Sequence, residues 1–220
     1  MFDLDTLPDG ALNVRRAKDG ETLVTLDEAE RTLVANDGLI SNGADEAVSL
    51  AGVMGGLTTE VTNSTTNVLL EMAWWDPPSI SRTVKRLNLP SEASTRFRRG
   101  CDWGDNIDRA MDRFCELIAE TGATIAPGQI EASGNTPDVA PKTARVAKVN
   151  SLLGTELTAA DMIGHLTSIG FEASEADGDL AIGVPTWRWD VTTDHMHEFE
   201  ASIAEAVSYT HLTLPTTPYV

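Results

Sequence analysis

The chain has 220 residues, 41% of them hydrophobic, and a formal charge of -18 at pH 7 with a pI near 4.4. That is enough chain for one large domain or two small ones with their own cores, and the acidity excludes a general binder of nucleic acid or anionic membrane. The two cysteines, Cys101 and Cys115, lack metal-ligand spacing and are expected as buried small apolar side chains in a reducing compartment; with no membrane-length apolar stretch and no signal-peptide pattern, a cytoplasmic protein with no membrane partner is expected.

The first part reads as β-rich. Short runs at 11–17 (ALNVRRA), 22–27 (TLVTLD) and 30–35 (ERTLVA) stand among turn signals such as Asp19-Gly20 and Asp37-Gly38. The nearly continuous apolar residues of 47–54 (AVSLAGVM) and 66–75 (TNVLLEMAWW) predict two buried strands. Gly52, Gly55 and Gly56 cluster at the end of the first of them, which calls for a bend or a close approach of backbone to something. A phosphate cradle is set aside, because no lysine–serine pair follows and Rossmann spacing is absent. A packing corner and a pocket floor remain open.

A helix is predicted after Pro77 and Pro78, through 79–89. Arg82, Lys85, Arg86, Arg96, Arg98 and Arg99 form a local basic run, which either meets a phosphate backbone or is a solvated helix face. A longer helix is predicted from an Asp105 N-cap to Thr121, with Ile107, Met111, Phe114 and Ile118 at helical spacing and Gly122 as its stop. It is expected to be core scaffold.

From Ala123 to Lys142 the composition turns to Pro, Gly, Ser and Asn, which reads as a domain boundary. A second, smaller unit then shows a strand at 144–149 (ARVAKV), a helical turn at 150–154 (NSLLG), and a helix opened by a Thr158/Asp161 capping box with Leu157 and Met162 at staple positions. A hairpin follows across Asp177-Gly178, with Leu180, Ile182 and Val184 alternating. This order predicts a winged-helix-like module. An acidic helix at 197–206 is expected to stop at Ala206. The run Val207–Thr217 reads as the translation of a transposase sequencing adapter and is expected to be an artefact tail. The predicted class is α+β: a mixed, β-rich domain at 1–140, a small winged-helix-like α+β domain at 141–206, and the tail at 207–220.

No Ser–His–Asp or Cys–His nucleophile set stands out, so any hydrolysis would use a positioned water. Glu71 sits in an apolar run, where an unpaired buried charge is costly; from the residues alone a glutamate at a strand end facing water is the favoured reading, since acidic residues are rarely buried.

Five phrases together resemble one family: FDLDTL at Phe2–Leu7, LAGVMGG at Leu50–Gly56, VLLEMAWWDP at Val68–Pro77, LPSEASTRFRRG at Leu89–Gly100 and VPTWRWD at Val184–Asp190. In order and spacing they look like the middle of the bacterial phenylalanyl-tRNA synthetase β subunit family, from Phe2 to about Ala206. The resemblance implies an N-terminally truncated editing (B3/B4) domain followed by a C-terminally truncated B5-type domain. It implies that aminoacylation and its ATP belong to the α subunit and the holoenzyme, that the partners are the α subunit of a heterotetramer and tRNA(Phe), and that the editing domain hydrolyses tyrosine wrongly attached to that tRNA.

Residue by residue, Glu71 matches the family's tyrosine-reading glutamate and Gly55 a glycine lining the pocket. Ser91 and Ala93 match two more pocket positions, the family more often having threonine at the first; Ser91 and Glu92 would also suit a helix N-cap. The family carries a histidine just before the residues matching Phe2-Asp3, where this chain has Met1: either the chain starts inside the domain or Met1 reflects the choice of start codon. Where the family usually has glutamate, this chain has Arg98. The B5-type part implies a magnesium (Mg2+) site shared with the α subunit. Asp190 and Glu200 match its first and last ligands, Met196 and Phe199 fall on the intermediate ones, and Asp194 and Glu198 substitute if the register slips. A solvated acidic helix start accounts for the same residues. Two other readings are a free-standing aminoacyl-ester hydrolase and a non-catalytic module that binds protein or RNA.

Overall fold

The computed structural model describes residues 1–137, 140–191 and 195–211. It divides into two units, Met1–Gly128 and Gln129–Val220. The first contains β1 (Phe2–Asp3), β2 (Leu12–Arg16), β3 (Thr22–Val24), β4 (Glu30–Thr32), β5 (Gly38–Asn42), β6 (Ala47–Leu50), β7 (Met54–Gly55), β8 (Val68–Leu69), α1 (Pro77–Leu87), α2 (Glu92–Phe97) and α3 (Asn106–Ala119). The second contains β9 (Lys142–Ala144), α4 (Val146–Leu153), α5 (Ala159–Ser168), β10 (Glu172–Ala176), β11 (Asp179–Gly183) and α6 (Met196–His211). The α+β class read from the sequence is the observed one.

In the first unit an antiparallel sheet runs β2-β5-β6-β7. Its central strands hold the apolar runs: Leu39, Ile40, Val48 and Leu50 are all buried. One cluster gathers Leu23, Leu33, Leu39 and Leu50 with Ile80 and Val84 of α1, and a second joins Phe2, Leu7, Ile40, Val48 and Ala51. Leu50 is fully buried, so truncating it to alanine costs about 2–5 kcal/mol. β3 and β4 form a separate hairpin, and β1 pairs with β8, Phe2 opposite Leu69 and Asp3 opposite Val68. The buried Asp37 ties the turn before β5 to α1: it accepts the Val34 amide at 2.9 Å and the Thr83 hydroxyl at 2.8 Å, and pairs with Arg86.

Three expectations change here. The 47–54 run is not one strand. A tight turn, in which the Val53 amide donates to the Leu50 carbonyl at 3.0 Å, splits it into β6 and β7. The 66–75 run is strand only at Val68–Leu69, and residues 70–76 are irregular. The reason is the helix that follows: Asp76 caps α1 through the Ser79 amide at 2.9 Å, and Pro77 and Pro78 occupy its first turn. α3 forms as predicted but none of its residues is buried, so it is not core scaffold. Asp105 stands at its N-cap without making a side-chain cap bond.

In the second unit the sheet order is β10-β11-β9, all antiparallel. Val149, Met162, Leu166, Ile182, Phe199 and Ile203 form its core. The Thr158/Asp161 capping box is present on α5, and Leu157 and Met162 both reach the core. The 144–149 run is strand only to Ala144. Arg145 is turned away by Glu200, and the Val146 amide opens α4 by donating to Asp179 at 3.2 Å. α6 does not stop at Ala206: it continues to His211, because Val207 is fully buried beside Ile203 and Ala204. The adapter-like run therefore begins inside this helix, and its residues from 212 onward lie outside the described ones. Cys101 and Cys115 are free and half-buried, rather than buried.

Candidate functional site

Three segments singled out in the sequence meet at the turn Leu50–Val53. Gly52 adopts φ +66°, where side chains are strained, and a Cβ there would lie 2.7 Å from Trp75 Cδ1 and 2.8 Å from Ile80 Cδ1. The Val53 carbonyl accepts the Ser91 hydroxyl at 2.5 Å. The three glycines thus do different work. Gly52 admits the Trp75 ring. Gly56 lets β7 close on β6, since a Cβ there would sit 2.5 Å from the Val48 carbonyl oxygen. Gly55 is half-buried, its carbonyl takes the Leu26 amide at 3.0 Å, and its bare face meets only the Leu26 side chain at 3.1 Å.

Ser91 is the N-cap of α2. Its hydroxyl accepts the Ser94 amide at 3.0 Å, and Ser94 returns the bond to the Ser91 amide at 2.9 Å, a reciprocal box. With its proton given to Val53, this hydroxyl is not poised as a nucleophile. Ala93 is exposed on the first turn of α2. The Ser91 segment therefore reaches the glycine turn by direct hydrogen bond, and the Glu71 segment reaches it through Trp75.

Glu71 is half-buried and makes no hydrogen bond or ion pair to a described residue. It is not inside a strand, as the sequence suggested, but in the irregular span that follows β8. Burial pushes its carboxyl above the usual carboxylate range, and the Met1 ammonium pulls weakly the other way. The β1–β8 ladder thus brings Met1 near Glu71. An open groove along α3, lined by Asn106, Arg109, Ala110, Asp112, Arg113 and Glu116, contains none of these residues.

Sequence reasoning missed Trp75 and Leu26. Gly52 was the available signal for the first, since a glycine so placed implies a large neighbour. Leu26 carries no local signal, because its partner Gly55 is remote in the chain.

The basic run does not form one face. Arg86 is engaged with Asp37 and the Thr32 carbonyl, and Arg82 with Ser79. Arg96 lies 3.9 Å from Glu92, and Arg98 and Arg99 are exposed.

Among the described residues, the acidic candidates of the second unit do not fit a magnesium ion. The Asp190 carboxylate is held by Arg188 at 2.7 and 2.5 Å. Glu200 is fully buried, and its two oxygens take the Arg145 guanidinium at 2.8 and 2.9 Å and the Arg145 amide at 3.1 Å. Those bonds hold its carboxyl below the usual range. Magnesium needs free oxygens in octahedral array; these are committed to guanidinium groups. Glu198 is exposed, and Asp194 lies outside the described residues. Among the described residues, no three His, Cys, Asp or Glu side chains are grouped to hold a metal.

The fold and this site define a two-unit α+β chain, and its first unit identifies the family: residues 1–123 match the B3/4 domain, and the chain belongs to that family. Residues 142–195 match the tRNA synthetase B5 domain. The unmatched stretch between them is the Pro- and Gly-rich segment read as a boundary. The chain is similar to phenylalanine–tRNA ligase β subunits. It is 41% identical over 219 residues to that of Streptococcus pneumoniae serotype 4, an alignment covering 98% of this chain and 26% of the relative. It is 42% identical over 192 residues to that of Geobacter sulfurreducens, covering 86% and 24%. The chain thus spans about a quarter of the length of the relatives it matches. A solved N-terminal fragment of the phenylalanyl-tRNA synthetase β subunit from Pyrococcus horikoshii aligns with 96% of this chain and 58% of its own, at 16% identity and a TM-score of 0.43. No helix among the described residues is long and apolar enough to cross a membrane.

Proposed function

We propose that this chain is the editing part of a phenylalanine–tRNA ligase β subunit, and that its first unit hydrolyses tyrosine esterified to tRNA(Phe). Aminoacylation, with its ATP and magnesium, belongs on this reading to the partner α subunit, and the second unit supports binding of that subunit or of the tRNA. The observation that carries the reading is Glu71, a half-buried carboxyl with no hydrogen-bond or ion-pair partner among the described residues, in a segment tied through Trp75 to the glycine turn.

Phenylalanine and tyrosine differ by one hydroxyl. A desolvated carboxylate accepts the phenol as a charge-assisted hydrogen bond. Phenylalanine leaves that acceptor buried and unpaired, and sites of this kind discriminate by roughly four to five orders of magnitude. The attacking group is water. Its oxygen adds to the ester carbonyl, the bond to the ribose oxygen breaks, and that oxygen takes up a proton. Gly55 has no side chain and its bare face is covered only by the end of Leu26, an exposed side chain whose movement would admit the ester. The test is deacylation of Tyr-tRNA(Phe) by this chain and by Glu71→Ala. Selective hydrolysis lost in the variant supports the reading; equal rates in both overturn it.

A further inference from the structure

The Glu71 carboxyl is placed by something other than secondary structure. β8 ends at Leu69, and α1 begins after Asp76. Between them no backbone hydrogen bond to a described residue fixes residues 71–73. Backbone left in that state has many conformations of similar energy, so a side-chain anchor must select one. One anchor is Leu69, paired with Phe2. The other is Trp75, the residue of this span that packs on both core clusters of the unit. Its indole lies across Gly52, close enough that a single methyl group there would strike Cδ1 at 2.7 Å and Cγ at 3.1 Å.

We propose that Trp75, seated on Gly52, is a positioning residue that sets the Glu71 carboxyl in register with the glycine turn. Gly52 serves as the socket. Its left-handed backbone presents a surface without a side chain, and the indole of Trp75 fills it. The segment carrying Glu71 and the turn leading to Gly55 are thereby locked as one piece. A merely structural tryptophan would hold the core together and leave the environment of Glu71 unchanged.

This rests on Glu71 as the tyrosine-reading group, and the experiment separates the two claims. The Glu71 carboxyl is titrated by carbon NMR in the chain as it stands, assigned by its absence in Glu71→Gln. The variants are Gly52→Ala, Trp75→Ala, Trp75→Leu and the conservative Trp75→Phe, each first tested for cooperative melting. The expected result is a titration midpoint that returns toward the ordinary carboxylate range in Gly52→Ala, Trp75→Ala and Trp75→Leu and stays raised in Trp75→Phe. Preference for the tyrosyl over the phenylalanyl ester falls about tenfold in the first three and is retained in Trp75→Phe. An unshifted Glu71 titration in any folded variant that lacks the ring overturns the proposal. If Gly52→Ala and Trp75→Ala do not fold, Trp75→Leu against Trp75→Phe decides it. If the parent chain hydrolyses neither ester, the editing reading fails while the titration still decides the positioning role.

Discussion

The Ser91 hydroxyl gives its proton to the Val53 carbonyl at 2.5 Å and takes the Ser94 amide at 3.0 Å, so one oxygen both caps α2 and pins the glycine turn. Ser91→Ala removes the cap and leaves a half-buried carbonyl unpaired, a loss of about 2 kcal/mol. Ser91→Thr keeps both bonds and stays within about 0.5 kcal/mol. Urea unfolding measures the two values. Because this proton is already committed, Ser91→Ala should slow ester hydrolysis without abolishing it; complete loss in a folded Ser91→Ala protein would make Ser91 the nucleophile.

Gly55 and Gly56 are adjacent and are predicted to respond oppositely to a methyl group. At Gly56 the new Cβ meets backbone, the Val48 carbonyl oxygen at 2.5 Å, which cannot yield without opening β6 from β7. Gly56→Ala should cost about 3 kcal/mol. At Gly55 the neighbour is the end of Leu26, an exposed and flexible side chain at 3.1 Å. Gly55→Ala should change stability by less than about 1 kcal/mol and yet reduce Tyr-tRNA(Phe) hydrolysis. Melting curves beside deacylation rates separate the structural glycine from the site glycine.

The second unit should be acid-sensitive through Glu200. Hydrogen bonds from Arg145 depress its folded pKa below the ordinary 4.5. A depressed carboxylate contributes stability that is fully present above the unfolded value and lost as pH falls through the folded one. Protection of α6 amides, corrected for the intrinsic exchange rate at each pH, should therefore fall below pH 4.5 in the parent chain. Glu200→Gln is destabilised at pH 7, because Arg145 loses a charged partner, but its corrected protection should vary less with pH across the same window. Equal pH dependence in both proteins would remove Glu200 as the cause.

Much of the fold was legible. The strands β2 to β4, the helices α1 and α5, and the β10–β11 hairpin each carry a local signal: alternation, an N-terminal proline pair, a capping box, an Asp-Gly turn. The failures have three physical origins: a local cap that overrides a strand pattern, a partner distant in sequence, and an apolar stripe that nothing covers. Glu71 looked like strand because its neighbours are apolar, but Asp76 claims the chain for α1. Arg145 looked like strand because valines follow, but Glu200, 55 residues away, turns it. The α3 stripe looked like core, yet no partner in the first unit buries it. Of the site, the glycine cluster and Glu71 stood out from the residues themselves, their roles and Ser91 were readable only through the family phrases, and Trp75 had only Gly52 as a signal. The resemblance implied a metal at the acidic residues after Trp189, whereas Asp190 and Glu200 are each paired with a guanidinium.

The central claim is that Glu71 reads the tyrosine hydroxyl, and the most direct measurement is the ratio of deacylation rates for Tyr-tRNA(Phe) and Phe-tRNA(Phe) in the parent chain and in Glu71→Ala under single-turnover conditions. The account predicts strong preference for the tyrosyl ester in the parent chain. It predicts a fall of at least about 10- to 100-fold in that preference on removing the carboxylate, the worth of one hydrogen bond to a charged group before the penalty for leaving it unpaired is added. An unchanged ratio in a folded Glu71→Ala protein, or a parent chain that cleaves both esters alike, would contradict it.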